Sequence, residues 1–278
     1  MNPTKPFLKW AGGKYRQLSR ILAVLPPGRR LIEPFTGSGA VFINTSYREY
    51  ILGEANPDLV ALFTHIQQDG CAFIDWCESF FTPQNNTEDR YYAFRERFNA
   101  SKDSRERSAL FIYMNRHGYN GLCRYNRRGG FNVPFGRYAK PGFPRREMEF
   151  FQQKSQNARF VHCDFRETFM LAEPGDIIYC DPPYVPLSPS ANFSTYTGSA
   201  FGEDDHIALA HLARSSRERG VPVVISNHDT PFTRTHYIDA SIEAFRVRRH
   251  ISCLGTQRGF APELLAFFEE KHPLSTFP

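Results

Sequence analysis

An α/β fold built on a mostly parallel sheet, interrupted by an inserted middle segment, is what the sequence predicts, and three features predict it. Short apolar runs of strand length recur near both ends of the chain. Helical stretches lie between several of them. Residues 57–144 break that alternation with helical segments and then a glycine- and arginine-rich stretch. Strands alternating with helices imply a mostly parallel sheet covered on both faces, and such sheets bind ligands at the carboxyl ends of their strands.

Taken in order, residues 14–25 read as a helix and 31–33 as a strand. A glycine turn with Gly37 and Gly39 then leads into a helix predicted over 40–46, and 50–54 form a second strand. The middle opens with helices. In one of them, "SRERSALFIYMNRHG", Ser104 is placed to cap the start and Gly118 to follow the end. In "YNGLCRYNRRGGFNVPFGRYAKPGF", Gly129 and Gly130 suit a tight turn between two short extended arms, which predicts a hairpin. The alternation then resumes with strands over 158–163 and 176–180. A helix over 204–219 places His206, Leu209, Ala210 and Leu212 on one side, and strands over 221–226, 244–249 and 263–268 complete the pattern.

With 278 residues the chain can bury a substantial core, and runs such as "ILAVL" are far too short to span a bilayer. The start "MNPTKPFLKWAGGK" has no apolar stretch of the kind that directs secretion, so a cytoplasmic protein is expected. The cysteines Cys71, Cys77, Cys123, Cys163, Cys180 and Cys253 form no C-x-x-C pair, which predicts reduced thiols and no zinc or other metal site. The net charge of +5 says little, but its distribution says more. From 115 to 146 there are Arg116, Arg124, Arg127, Arg128, Arg137, Lys140, Arg145 and Arg146 and no acid. A block of one sign attracts a polyanion; taken alone it is better read as a solvated basic loop.

Three stretches carry residues fit for chemistry. In "LIEPFTGSGAVF", Gly37 and Gly39 let a backbone come close to a ligand. Glu54, closing the next strand, is placed to accept hydrogen bonds from ribose hydroxyls. A dinucleotide would suit this much, but bulky Phe42 stands where the third glycine of that fingerprint belongs. With Phe35 before the turn, the pattern favours an adenosine-bearing cofactor without a pyrophosphate. "WAGGKY" fails the phosphate-loop pattern, since Leu8 replaces its first glycine and Tyr15 follows Lys14. It reads equally as a turn packing Trp10 on the core or as glycines and a lysine holding a carboxylate.

The third stretch is "DPPY", Asp181 to Tyr184, directly after an apolar strand. An exocyclic amine on an aromatic base is a poor nucleophile, because its lone pair is delocalised into the ring. If the Asp181 carboxylate and the Pro182 carbonyl accept its two N–H bonds, the lone pair turns toward an electrophilic methyl group. The prolines fix the backbone and remove competing donors, and the Tyr184 ring can stack on the base. The carboxylate also stabilises the positive charge that develops on nitrogen. A base in a duplex must be turned out to reach such a pocket, which gives the basic middle a role. Its Tyr119, Tyr125, Phe131, Phe135 and Tyr138 could stack on bases or form the lobe's own small core.

"PFLKWAGGK", "IEPFTGSG", "NRHGYNGLCRYN", "FNVPFGRY", "YCDPPYVPLS" and "ISNHDT" together resemble the DNA adenine methylase family over nearly the whole chain. The resemblance implies a class I S-adenosylmethionine-dependent methyltransferase fold, Rossmann-like, with a seven-stranded mostly parallel sheet and an inserted helical plus hairpin DNA-recognition domain. It assigns 1–56 and 145–278 to the catalytic domain and 57–144 to target recognition. Implied with it are S-adenosylmethionine as cofactor, double-stranded DNA as partner, a monomeric enzyme, and N6-adenine methylation at GATC. By the same resemblance Trp10, Lys14, Glu54 and Asp181 bind the cofactor, with Phe35, Gly37 and Gly39 lining its pocket and Asp164 near its adenine. Asp181, Pro182 and Tyr184 hold the target base. Lys9, Leu122, Arg124 and Pro134 read the flanking bases, Tyr119 and Asn120 fill the space left by the flipped adenine, and Arg116, Arg137 and Tyr138 meet the phosphates. Glu54 departs from the family's usual aspartate, His117 from a tyrosine, Ala139 from a basic residue, and "SCLGTQRGFAPELL" is less basic than the family pattern. Cytosine-N4 or RNA amino-methylation, and a DNA-binding regulator without catalysis, remain open readings of these residues.

Overall fold

The structure, a computed structural model, describes residues 3–187, 201–248 and 260–269. Among these residues a single seven-stranded sheet forms the centre. The parallel strands are β1 (Arg30–Glu33), β2 (Glu49–Glu54), β3 (Ala158–His162), β4 (Asp176–Cys180) and β5 (Val223–His228). β6 (Ser241–Arg248) lies at one edge, and β7 (Phe260–Phe268) is antiparallel to both β5 and β6. The order across the sheet is β3-β2-β1-β4-β5-β7-β6, the mostly parallel seven-stranded sheet expected. Helices α1 (Leu18–Val24), α2 (Pro57–Ser79), α3 (Glu88–Ala100), α4 (Ser104–His117), α5 (Arg145–Lys154), α6 (Phe165–Met170), α7 (Glu203–Glu218) and α8 (Pro231–His236) connect the strands.

Both faces of the sheet are covered, so β4 and β5 are buried along their whole length. Side chains alternate between the faces with the period of a strand. Leu31, Leu52, Ile177, Tyr179 and Val224 point into one apolar cluster, and Ile32, Ile51, Ile178, Cys180 and Ile225 into the other. The first cluster continues through Phe63 and Phe151 to Tyr91, Phe98, Tyr113 and Phe131, so sheet and middle helices share one core. The register pairs Glu33 with Leu52 and Cys180 with Ile225. Consequently the carboxyl ends of β1, β2, β4 and β5 come out at one rim. No described helix is long and apolar enough to cross a membrane.

Several local expectations need correcting. Residues 40–46 make only a 3-10 turn, Phe42–Asn44, because Asn44 Nδ2 donates to the Ala40 carbonyl at 2.8 Å and Thr45 Oγ1 to that of Phe42 at 3.1 Å. These side chains take carbonyls that a helix would use. Residues 14–25 divide into a 3-10 turn, Lys14–Arg16, and α1, which stops where Leu25 becomes extended before Pro26. The cap of α4 is Asp103, not Ser104: its Oδ1 accepts from Arg105 N at 2.9 Å and Glu106 N at 3.4 Å. A carboxylate is the better group there, since the helix N-terminus carries partial positive charge. Gly118 does follow α4.

The hairpin is reduced to two isolated bridges, Tyr125 with Phe131 and Gly118 with Phe135. Its arms do bond each other, with Asn126 N donating to the Gly130 carbonyl at 2.8 Å and Asn132 N to the Arg124 carbonyl at 3.0 Å, and the backbone groups between these bonds face outward. Phe131 exchanges both backbone bonds with the Asn99 side chain of α3, at 2.8 and 3.1 Å, and the Val133 carbonyl accepts from Tyr91 and Arg95. Cys71, Cys77, Cys123, Cys163 and Cys180 are free thiols, whereas Cys253 and the rest of 249–259 lie outside the described residues.

Candidate functional site

The rim where β1, β2, β4 and β5 end surrounds a cavity of about 750 Å³, lined among others by Trp10, Phe35, Gly37, Glu54, Asp181 and Tyr184. Three loops separated in sequence build it. The turn after β1 places Gly37 at φ 51° and Gly39 at φ 70°, where a side chain would be strained. A Cβ on Gly37 would also stand 2.9 Å from Trp10 Nε1, so the indole lies directly on this turn. Glu54, at the end of β2, accepts from Gly37 N and Asn56 N, both at 3.0 Å. Burial raises its carboxyl above the usual range, opposed by those backbone donors. Phe35 stacks on Phe165 at 5.3 Å. Asp164 borders the same cavity, but its Oδ1 is already the cap of α6, accepting from Arg166 N at 2.9 Å.

The DPPY loop leaves β4 toward the turn of residues 10–14. Lys14 Nζ lies 2.7 Å from Asp181 Oδ1, 2.7 Å from the Gly12 carbonyl and 4.5 Å from the centre of the Tyr184 ring. Lys14 therefore bonds a carboxylate, as one reading of its segment required, and that carboxylate belongs to the protein. Burial raises the Asp181 carboxyl, and Lys14 and then Ser226 oppose the rise. The Tyr184 hydroxyl lies 3.4 Å from Glu263 Oε2 of β7, and its ring meets His228 edge-on at 4.8 Å. Pro182 is buried beside them.

Glu33 escaped the sequence reading. It is 2% exposed, borders the cavity, and its Oε1 has no hydrogen-bond partner. Burial and then the neighbouring Asp181 hold its carboxyl well above the usual range. A buried acid with an orphaned oxygen suits a cationic ligand atom. Its signal in the sequence was its place, the last residue of a strand before a glycine turn. Ser226 and Asn132 were likewise quoted only within longer motifs.

Of the residues expected to meet nucleic acid, Lys9, Tyr119, Asn120, Pro134 and Tyr138 are linked by direct contacts. The bridge between Gly118 and Phe135 sets Tyr119, 51% exposed, beside Pro134, whose carbonyl accepts from Tyr119 N at 2.9 Å. Asn120 has φ 53° and donates its N–H to the Tyr138 hydroxyl at 2.9 Å. The Lys9 ammonium sits 4.3 Å from the Tyr138 ring centre, and Lys9 exchanges two backbone bonds with the Asn115 side chain. Exposed Arg124 is held by Asn132, with Nε 2.7 Å from Oδ1 and Nη2 3.1 Å from the carbonyl. Leu122 is half-buried against the core. Arg137, at φ 53°, pairs with Glu88 at 3.1 Å in full solvent. Arg116 is engaged within the protein: it donates to the Gly142 carbonyl at 3.0 Å, and burial lowers its guanidinium from the usual value.

A family model described as D12 class N6 adenine-specific DNA methyltransferase matches residues 10–251. A DNA adenine methylase of Vibrio cholerae is 48% identical over 269 residues, covering 96% of this chain and 97% of its own. That of Escherichia coli is 46% identical and covers 97% of each. The corresponding protein of Haemophilus influenzae is 47% identical over 267 residues, covering 95% and 93%.

Proposed function

The chain belongs to the D12 class of N6 adenine-specific DNA methyltransferases, and on that premise we propose that it methylates adenine N6 at GATC in duplex DNA, using S-adenosylmethionine and a base turned out of the helix. The observation that carries the reading is that the DPPY residues and the acid of the glycine turn border one cavity. S-adenosylmethionine, when bound, supplies a methyl group on a sulfonium centre. Its residues here would be Trp10, Phe35, Gly37, Gly39 and Glu54 around the adenosine, with Asp164 at the cavity edge. Glu33 fits a cation and Lys14 a carboxylate, which are the two charged ends of an amino acid. The polar residues present therefore suit the group.

Asp181 and the Pro182 carbonyl accept the two N–H bonds of the target amine and turn its lone pair out of the ring plane. Asp181 stabilises the positive charge that develops on nitrogen, and Tyr184 stacks on the base. Residues 57–144 act as the recognition lobe. Together with Lys9 of the N-terminal segment, its Leu122, Arg124 and Pro134 read flanking bases, Tyr119 and Asn120 occupy the gap, and Arg137 and Tyr138 meet phosphates. Arg116 serves there only if it releases Gly142.

Transfer of a labelled methyl group to two duplexes that differ only in GATC tests this reading. Label confined to the GATC duplex and recovered as N6-methyladenine is expected. Label in both duplexes discards the site, and label on cytosine discards the base.

A further inference from the structure

Ser226 lies in "ISNHDT", part of the family likeness that the site has not used. It stands on β5 beside the end of β4 and is 2% exposed. Its Oγ is 3.1 Å from Asp181 Oδ1, 3.1 Å from the Tyr179 hydroxyl and 3.3 Å from the Cys180 carbonyl. A serine hydroxyl has one proton to give and lone pairs to accept others. When the buried Tyr179 hydroxyl donates to Ser226, the serine proton goes to the carboxylate, the charged and stronger acceptor.

Resting on the methyl-transfer reading above, we propose that Ser226 is a positioning residue. Backed by Tyr179, it fixes the rotamer of Asp181 so that Oδ2 faces the target amine. Among the described residues, both protein bonds to this carboxylate, from Lys14 and from Ser226, fall on Oδ1. Lys14 belongs to the N-terminal segment and, on the cofactor reading above, would exchange Asp181 for a ligand carboxylate. Ser226 is not free to leave, because β5 is paired with β4 on one side and β7 on the other. It is thus the bond that keeps Asp181 in place when the cavity fills.

The next two residues of β5 brace the far end of the loop. Asn227 Oδ1 accepts from Val185 N at 3.1 Å, and His228 Nδ1 lies 2.6 Å from the Val185 carbonyl. The Pro182–Tyr184 segment therefore stays anchored when Ser226 alone is changed. The charged and titratable groups around Asp181 are Lys14 from the N-terminal segment, Glu33 from β1, Tyr179 and Cys180 from β4, and Tyr184 within the loop, with Glu263 of β7 beyond Tyr184.

The test compares the full-length parent with Ser226→Ala and Tyr179→Phe in single-turnover methyl transfer at saturating S-adenosylmethionine and GATC duplex. Dissociation constants for both ligands and the pH profile of the rate constant are measured alongside. Ser226→Ala is expected to lower the rate constant about 10- to 100-fold, the size of a hydrogen bond to a charged group, while both dissociation constants stay within about twofold. Its acid limb moves to higher pH, because the carboxylate has lost a donor that favours its ionised form. Tyr179→Phe shows the same signature at smaller size. A parental rate constant in Ser226→Ala, or a loss matched by weaker cofactor binding with an unmoved acid limb, overturns the proposal. If Ser226→Ala does not melt cooperatively, Tyr179→Phe decides: a lowered rate and a moved limb support the assignment, and parental values for both refute it. A parent that transfers no label in the same assay refutes the methyl-transfer reading instead.

Discussion

Replacing Tyr125 by Phe removes one hydroxyl from the network that ties the hairpin of residues 124–132 to α2. The Asp58 carboxylate accepts three bonds from Arg107, at 2.8 to 2.9 Å, and one from the Tyr125 hydroxyl at 2.7 Å. Its side chain is 11% exposed and that of Arg107 23%. In Tyr125→Phe the ring keeps its edge-on contact with Phe131, and Asp58 Oδ2 keeps its bond from Arg107. The loss is then one charge-assisted bond, about 1.5–3 kcal/mol. In Asp58→Ala, by contrast, a mostly buried guanidinium loses its carboxylate and keeps only the Phe98 and Ser101 carbonyls, and a phenol loses its acceptor, which costs about 3–5 kcal/mol. For a chain of this size each kcal/mol moves Tm by about 2 °C. Tyr125→Phe should therefore lower Tm by about 3–6 °C and Asp58→Ala by about 6–10 °C, read by calorimetry and circular dichroism together. In the double mutant the two costs should fail to add, with a coupling of about 1 kcal/mol or more. Equal costs for the two single mutants, or full additivity, would refute the account of this network.

Three further outcomes follow from the geometry. The folded Glu33 carboxyl is raised above its unfolded value, so its contribution to stability is full below the unfolded value near 4.5 and is lost as pH rises through the folded one. Glu33→Gln should thus gain Tm on the parent as pH increases while binding S-adenosylmethionine more weakly; parallel Tm curves would rule this out. Arg124→Ala should relax discrimination at one base pair by about 1–3 kcal/mol, and Asn132→Ala should do the same more weakly because it removes one of the two bonds that hold the guanidinium. A uniform loss of affinity across duplexes would instead make Arg124 a phosphate contact. Gly121 has φ 62° and its missing Cβ would stand 2.3 Å from Lys9 Cβ, so Gly121→Ala should cost about 1–3 kcal/mol in a denaturant melt and weaken DNA binding. A parental midpoint would show that Lys9 yields at no cost.

The elements legible in the sequence were those whose cause is local. The runs of β4 and β5 are apolar because both faces are covered, and they stood out for that reason. The glycines at 37 and 39 and the DPPY loop announced themselves by composition. What was not legible depended mostly on partners distant in the chain. The 40–46 segment has a helix-like pattern, but Asn44, held by two bonds to the Thr4 backbone, also takes the Ala40 carbonyl. The hairpin was legible from Gly129 and Gly130, but not that Asn99, Tyr91 and Arg95 of α3 bond the outward-facing backbone groups of Phe131 and Val133. Likewise, nothing in "WAGGK" reveals that Lys14 meets Asp181, and nothing in "LIE" reveals that Glu33 Oε1 is left without a partner on burial.

β7 lies between β5 and β6 in space but follows both in sequence. During synthesis β5 therefore emerges with one edge open, and β6 emerges with no described strand beside it. Both wait for β7. Until then the growing chain presents unpaired apolar backbone, the surface that chaperones cover and that promotes association between nascent chains. The same strand delivers Glu263 to the hydroxyl of Tyr184. Closing the sheet and completing the wall of the cavity are thus one event, and a chain released before β7 carries neither.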